Sequence, residues 1–333
     1  MWDPRTYEDT DYGLDEGERF EPDLDLDDEP FDRSIPHIMT ILGPIEPEEL
    51  GVCLPATRFL PEPAPGQSDR ERTRLLAGAA DELEAFASVG GRSVVDIATA
   101  VSGRDVPALQ RLTQLVPSHL IAAAGFPAGG DDAIAGLERE LQEGLDGTGV
   151  QAGLIAVRAR DLQHGDVLEA TVAIALRDGL PLLVEVATWE DGAPVLAARA
   201  AAGAAGPVPS LILAGPPSLP DPTLVAEASA MGAFLTLRSA GPGHPRDEAA
   251  LAAGIAGLVG AGLGPGLLVT LDLVMPRVRM AGPAEPRAPY LIDHLAIALM
   301  EAGIAAPGVR RLMIENPAQA LTVMPTPEGG ERL

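Results

Sequence analysis

No lysine occurs anywhere in the 333 residues; all 23 basic side chains are arginine. That excludes Schiff-base and lysine general-base chemistry, because arginine keeps its proton at any working pH. Cysteine is almost as scarce. With Cys53 alone, neither an internal disulfide nor a cysteine metal cage can form, a usage suited to a reducing cytoplasm. Aromatic residues make up only 3% of the chain, so the core must be built from aliphatic side chains packed between small ones. The start of the sequence has no basic segment followed by an apolar run, and no secretory signal is read there. One long uncharged stretch, Ala249 to Leu271, approaches the ~20 residues that span a bilayer. Gly264-Pro265-Gly266 interrupts it, and it reads as a helix, a turn and a buried strand.

What is present is acid. Forty-nine acidic residues against 23 basic ones give a net charge of -26, which repels nucleic-acid backbones and anionic lipid surfaces, so neither is expected as a partner. Residues 1–33 hold fourteen acidic and three basic side chains and no sustained apolar periodicity. Residues 1–36 are therefore expected to form a disordered acidic tail. Its interspersed Trp2, Tyr7, Tyr12, Phe20 and Phe31 suit docking on a basic, apolar groove; a leader that only solubilises is the alternative. Residues 326–333 are expected to form a flexible C-terminus.

From Ile38 onward short apolar runs alternate with longer, alanine-rich amphipathic segments, the rhythm of a parallel sheet wrapped by helices. Strands are expected near 52–57, 93–98, 119–124, 152–157, 181–187, 210–215, 233–238 and 267–272. Helices are expected over 69–87, 105–115, 131–145, 166–178, 221–231, 247–262 and 290–302. Eight strand-helix units in residues 37–325 match the ~250 residues of a closed (β/α)8 TIM barrel. An open doubly wound sheet is the alternative, but no Gly-rich phosphate fingerprint follows the first strand. Gly90-Gly91 and Gly241-Pro242-Gly243 lack a following Lys-Ser/Thr and read as turns.

Particular residues add a resemblance. The run Thr40, Gly43-Pro44-Ile45-Glu46-Pro47-Glu48-Glu49-Leu50-Gly51-Val52-Cys53-Leu54-Pro55 resembles the N-terminal signature of the phosphotriesterase family, which includes phosphotriesterase-like lactonases of the amidohydrolase superfamily. Gly90 to Asp96 with Gly103-Arg104-Asp105 resembles its second strand and exit loop, and Ala124-Gly125-Phe126 its third. Glu143 to Thr148 leading into Ala152-Gly153-Leu154-Ile155 resembles the approach to its fourth, and Asn316-Pro317-Ala318 its closing helix. The collinear likeness spans about residues 38–323.

The resemblance implies two divalent metals at the C-terminal mouth of the barrel. They would be held by a His-x-His pair, a bridging lysine, two further histidines and an aspartate. In this sequence those positions fall on Ala56 and Arg58, on Ala156, on Glu185 and Gly215, and on Asp272. Only Asp272 keeps the family's residue. Alanine and glycine offer no donor atom, and a guanidinium repels a dication while supplying no lone pair. No metal or other cofactor is therefore expected. Arg58 is expected to take over the charge role of the metals by pairing with Asp272 or Glu185, since an unpaired carboxylate in the mouth would be costly. The same resemblance implies a homodimer.

Of the five histidines, His37, His119, His164 and His294 read as ordinary structural or surface residues. His244, in a Gly-Pro-Gly-His-Pro loop after the seventh strand, could act as an acid or base at the mouth. Arg238 ends the seventh strand and, with Arg58, would suit a carboxylate or phosphate ligand; otherwise both merely neutralise Glu185 and Asp272. Cys53 reads as a buried, inert thiol. Two functions stay open. One is a non-hydrolytic barrel serving as a cytoplasmic assembly subunit or a receptor for a small anionic ligand. The other is a metal-independent isomerase, cyclase or lyase using Asp272, Glu185, Arg58 and His244. A metal-dependent ester or lactone hydrolase fits least.

Overall fold

The computed structural model describes residues 32, 34–61, 66–127, 132–163, 166–203, 208–239, 245–271 and 287–325. A short antiparallel hairpin comes first, β1 (Ile38–Thr40) with β2 (Gly43–Ile45). The eight-stranded parallel sheet follows: β3 (Val52–Thr57), β4 (Gly91–Asp96), β5 (His119–Ala124), β6 (Leu154–Arg158), β7 (Leu182–Glu185), β8 (Leu211–Ala214), β9 (Ala233–Ser239) and β10 (Leu267–Leu271). Each strand pairs with the next in sequence. The last lies against the first, and across that seam Thr270 Oγ1 donates to Ala56 O at 3.4 Å. This is the (β/α)8 barrel expected from the alternation of apolar runs.

Each strand leads into a helix: α1 (Asp69–Ser88), α2 (Val106–Thr113), α3 (Ala133–Glu143), α4 (Val167–Asp178), α5 (Ala193–Ala201), α6 (Pro222–Ala230), α7 (Pro245–Gly260) and α8 (Ala296–Glu301), with α9 (Ala306–Arg310) and α10 (Asn316–Leu321) closing the chain. Local chemistry sets several starts. Ser68 and Glu71 form a capping box at α1, Asp105 Oδ1 accepts from Ala108 N at 3.1 Å at α2, and Asp221 caps α6, satisfying amides that the first turn leaves without partners. At the end of α4, Gly179 sits at φ 67, where a Cβ would collide with the Met324 carbonyl; Met324 N donates to Gly179 O at 2.8 Å. Only glycine allows that approach in the left-handed region.

Two apolar layers result. Alternate strand residues such as Leu54, Val94, Ile155, Val184 and Leu213 pack outward against the helices. Their neighbours, among them Cys53, Val95, Ile121, Leu154, Leu183 and Leu268, fill the barrel. Strands buried on both faces explain the near-continuous apolar runs in the sequence. The interior is not uniform along its axis. Toward the C-terminal end the side chains shrink to Ala56, Ala123, Ala156 and Ala214, which opens space at the mouth.

The uncharged stretch that bore on membrane insertion divides as expected into α7, a turn at Gly264–Gly266 and β10. Among the described residues no helix is long and apolar enough to cross a membrane. The expected acidic tail, apart from Asp32 and Ser34 to Pro36, and the expected C-terminal segment lie outside the described residues.

Candidate functional site

Arg58 and Glu185 meet across the mouth. Arg58 follows β3 and Glu185 ends β7, four strands away in a barrel of eight, so the ion pair from Arg58 Nη2 to Glu185 Oε2 spans the opening as a strut. Of the two partners foreseen for Arg58, the one found is Glu185. Asp272 and His244 lie outside the described residues. Glu185 is the more sheltered of the pair, its side chain 19% exposed against 36% for Arg58, and a carboxylate placed so needs the cation beside it.

On one side of the strut the space is filled. Gly215 stands just beyond β8, and a Cβ there would overlap the six-membered ring of Trp189. Trp189 follows β7, is buried, and donates from Nε1 to Ser218 O at 2.9 Å, so both its ring and its polar atom are satisfied. Arg238 is the sixth residue of β9, on this same side.

On the other side lies a shallow recess open to solvent, with an enclosed volume of only about 20 Å³. Its floor is Ala156, and its apolar wall is Ile97, Val101 and Phe126; Thr99 and Ser102 add hydroxyls. A second arginine also lines it. Arg158, paired in register with Glu185, donates from Nε to Asp161 Oδ2 at 2.6 Å. Sequence reasoning stopped at Ala156 and passed over Arg158 and Trp189. The period of two along a strand carries Arg158 to the same face as Ala156, so that signal was available. The contact between Trp189 and Gly215 had none beyond the empty position itself.

Of the positions implied for metal ligands, all but Asp272 are described. Ala56, Ala156 and Gly215 have no donor atoms, the space at Gly215 is taken by Trp189, and Glu185 is engaged by a guanidinium. Among the described residues no group of three or more His, Cys, Asp or Glu is placed to hold a metal ion. Two carboxylates could in principle hold a hard cation, but Glu185 already faces the positive charge of Arg58.

Asp96, at the end of β4, is a buried acid close enough to Arg58 to feel its charge. Burial pushes its carboxyl up to about 6, against the opposing pull of the Ala98 and Leu60 amides and of Arg58. Ala98 N donates to it at 2.9 Å and Leu60 N at 3.4 Å. It does not line the recess and works as a local brace. A second buried cluster lies outside the mouth lining: the fully enclosed Arg104 donates to Ala123 O at 2.6 Å, to Asp146 Oδ1 at 2.6 Å and to Glu140.

The described histidines fall away from the mouth lining. His37 bridges Val323 through backbone bonds and donates from Nδ1 to Ile35 O at 3.0 Å. His119 opens β5 at the opposite end of the barrel, where burial, with help from Arg92, lowers its pKa. His294 stacks on Tyr290 at 4.5 Å. His164 lies outside the described residues. Cys53 is enclosed in the barrel interior, and burial pushes its thiol up, away from the reactive thiolate.

Comparison with known proteins agrees with this architecture. A profile described as the phosphotriesterase family matches residues 36–321. An N-acetyltaurine hydrolase from Salmo salar is 22% identical over 86% of this chain and 97% of its own. The N-acetyltaurine hydrolase of Rattus norvegicus is 25% identical over 44% of this chain and 55% of its own. Among solved structures, an amidohydrolase from Mycoplasma synoviae superposes with a TM-score of 0.71 at 18% identity, covering 86% of this chain and 92% of that one. The phosphotriesterase from Mycobacterium tuberculosis gives 0.70 at 18% identity, covering 87% and 100%. At such identities the likeness to solved structures speaks for the fold and not for the chemistry carried on it.

Proposed function

The chain belongs to the phosphotriesterase family, and from that premise we propose that it is a non-hydrolytic member whose barrel mouth binds a small anionic ligand without metal. The observation that carries this reading is the strut with its plugged flank. Arg58 bonds Glu185 across the opening, and Trp189 occupies the space a side chain at position 215 would need. A hydrolytic metal site needs about three protein ligands and an open position for water. Here a fixed guanidinium supplies positive charge where the resemblance implies metal, and charge in a sheltered mouth is suited to holding an anion.

The names of the fish and rat relatives support a hydrolase instead, so the test must separate the two. Elemental mass spectrometry is run on protein purified without chelator or metal-binding tag, beside an assay for hydrolysis of N-acetyltaurine. The expected result is less than one tenth of an equivalent of zinc, manganese or cobalt and no hydrolysis above buffer. Two equivalents of metal with turnover would restore the hydrolase reading. A metal-independent enzyme is the second candidate. Among the described residues Asp96, with its raised pKa, is its best acid, but both carboxyl oxygens accept backbone amides and neither opens on the recess, which favours binding over catalysis. Partnership with a second copy, or with a larger assembly in the cytoplasm, belongs to the same proposal, and light scattering on the purified chain tests the dimer.

A further inference from the structure

We infer that the recess between the strut and Arg158 is a subsite for a monocarboxylate carrying a compact apolar body, held by Arg58 and Arg158 together. This rests on the metal-free reading of the mouth and adds to it the second arginine and the class of ligand.

Donor capacity comes first. A guanidinium has five N–H donors. Among the described residues Arg58 uses Nη2 alone, on Glu185, and Arg158 uses Nε alone, on Asp161. Both line the recess and both side chains are 36% exposed, so donors remain on two sides of one cavity. Two guanidinium groups facing a common space match a planar carboxylate, which accepts paired N–H bonds.

Charge then sets the valence. The two lining arginines are balanced by the two lining carboxylates, Glu185 and Asp161. Each added negative charge is therefore uncompensated within a chain that already carries -26, so a monoanion costs less than a dianion such as a phosphate monoester.

Shape sets the remainder of the molecule. Opposite the arginines stand Ile97, Phe126 and Val101, the last 46% exposed at the rim, and an apolar group laid there would remove that surface from water. Thr99 and Ser102 bond mainly to each other and to their own turn, which makes the rim a settled wall instead of a competing anion site. The body must be compact, because the Arg58–Glu185 strut closes one side and Ala156 the floor.

Benzoate is the probe, with benzyl alcohol as the neutral isostere and phenylphosphonate as the dianion, each titrated by calorimetry into the full-length chain. The expected result is saturable benzoate binding, weaker phenylphosphonate binding and none for benzyl alcohol. Arg158→Gln is expected to weaken benzoate by about tenfold or more, the usual worth of a charge-assisted bond. Arg177→Gln, on the outer face of α4, is expected to leave it unchanged. Equal binding of benzoate and benzyl alcohol, no benzoate binding, or full affinity in Arg158→Gln each overturns the subsite. Since Arg58→Gln strands Glu185, its unfolding curve is recorded alongside, and Arg158→Gln remains the deciding variant. Metal analysis of the same sample keeps the two proposals apart. Metal-free protein that ignores benzoate sinks the subsite alone, whereas benzoate binding that a chelator abolishes sinks the metal-free reading.

Discussion

At Gly215 the missing side chain and the Trp189 ring are two halves of one packing solution. If they are, the pair must behave non-additively. Gly215→His should destabilise by about 1–3 kcal/mol, the usual cost of forcing bulk into a packed site. Trp189→Ala should cost about 3–5 kcal/mol by opening a cavity. Combined, they should cost clearly less than the separate losses together, because each relieves the other. Urea unfolding of the three variants measures this, and simple additivity would show that the ring does not hold position 215 closed. Asp96 offers a second test at this scale. Its folded pKa, about 6, lies above the ordinary 3.8, so the native state holds the proton more tightly than the unfolded chain. The stability it contributes is complete below pH 3.8 and is lost as the pH rises through 6. Across that window the loss amounts to roughly 3 kcal/mol. Asp96→Asn, which can still accept from Ala98 N, should remove that loss and so gain on wild type between pH 5 and 7. A constant difference between the two proteins across that range would overturn the assignment.

Elements are joined here by a few buried polar ties, and Arg104 is the firmest. It reaches from the loop before α2 to the β5 carbonyl of Ala123, to Glu140 on α3 and to Asp146 in the turn after it, while Glu140 also accepts Gly125 N at 3.1 Å. Arg104→Met would leave two carboxylates facing each other in a sheltered site, and breaking a buried pair this way costs about 3–5 kcal/mol. The added loss should fall on α3, seen as faster amide exchange at Glu140 and Gly125 than in β8 or β9. Uniform acceleration through the barrel would argue for a merely global role. The elements themselves were largely legible, because strands buried on both faces leave apolar runs that no loop imitates. β5 falls on 119–124 as expected. β4 begins two residues before its expected start because Gly91 already pairs with Val52 of β3, with a register shift before Ser93. α5 was missed. Its Ala193–Ala201 sequence buries only Val195 and Leu196, too few apolar anchors to print a helical period. The β1–β2 hairpin was missed for a related reason, being three residues long on each side.

For the whole molecule, the barrel was readable from the number and spacing of its units, whereas the state of its mouth was readable only in part. Arg58 at a position implied for a metal ligand announced a charge needing a partner, yet the choice of Glu185 depends on a distance across the barrel that no local pattern encodes. Net charge, by contrast, is written in full, and it carries a last prediction. The first 33 residues hold fourteen acids and three arginines, so most of the -26 belongs to the rest of the chain. Folding gathers that excess onto one compact surface, where like charges repel over the ~10 Å Debye length of 0.1 M salt. Salt also weakens the surface ion pairs, such as Arg177 with Glu138 and Asp178 or Arg310 with Glu315. Exposed pairs are worth only about 0–1 kcal/mol each, so relief of the repulsion should outweigh their loss. The melting temperature should therefore rise as sodium chloride increases from 10 to 150 mM, and replacing Glu138 by Gln should not reverse the trend. A melting temperature that falls with salt would mean that the surface pairs, and not the net charge, govern the electrostatics of this fold.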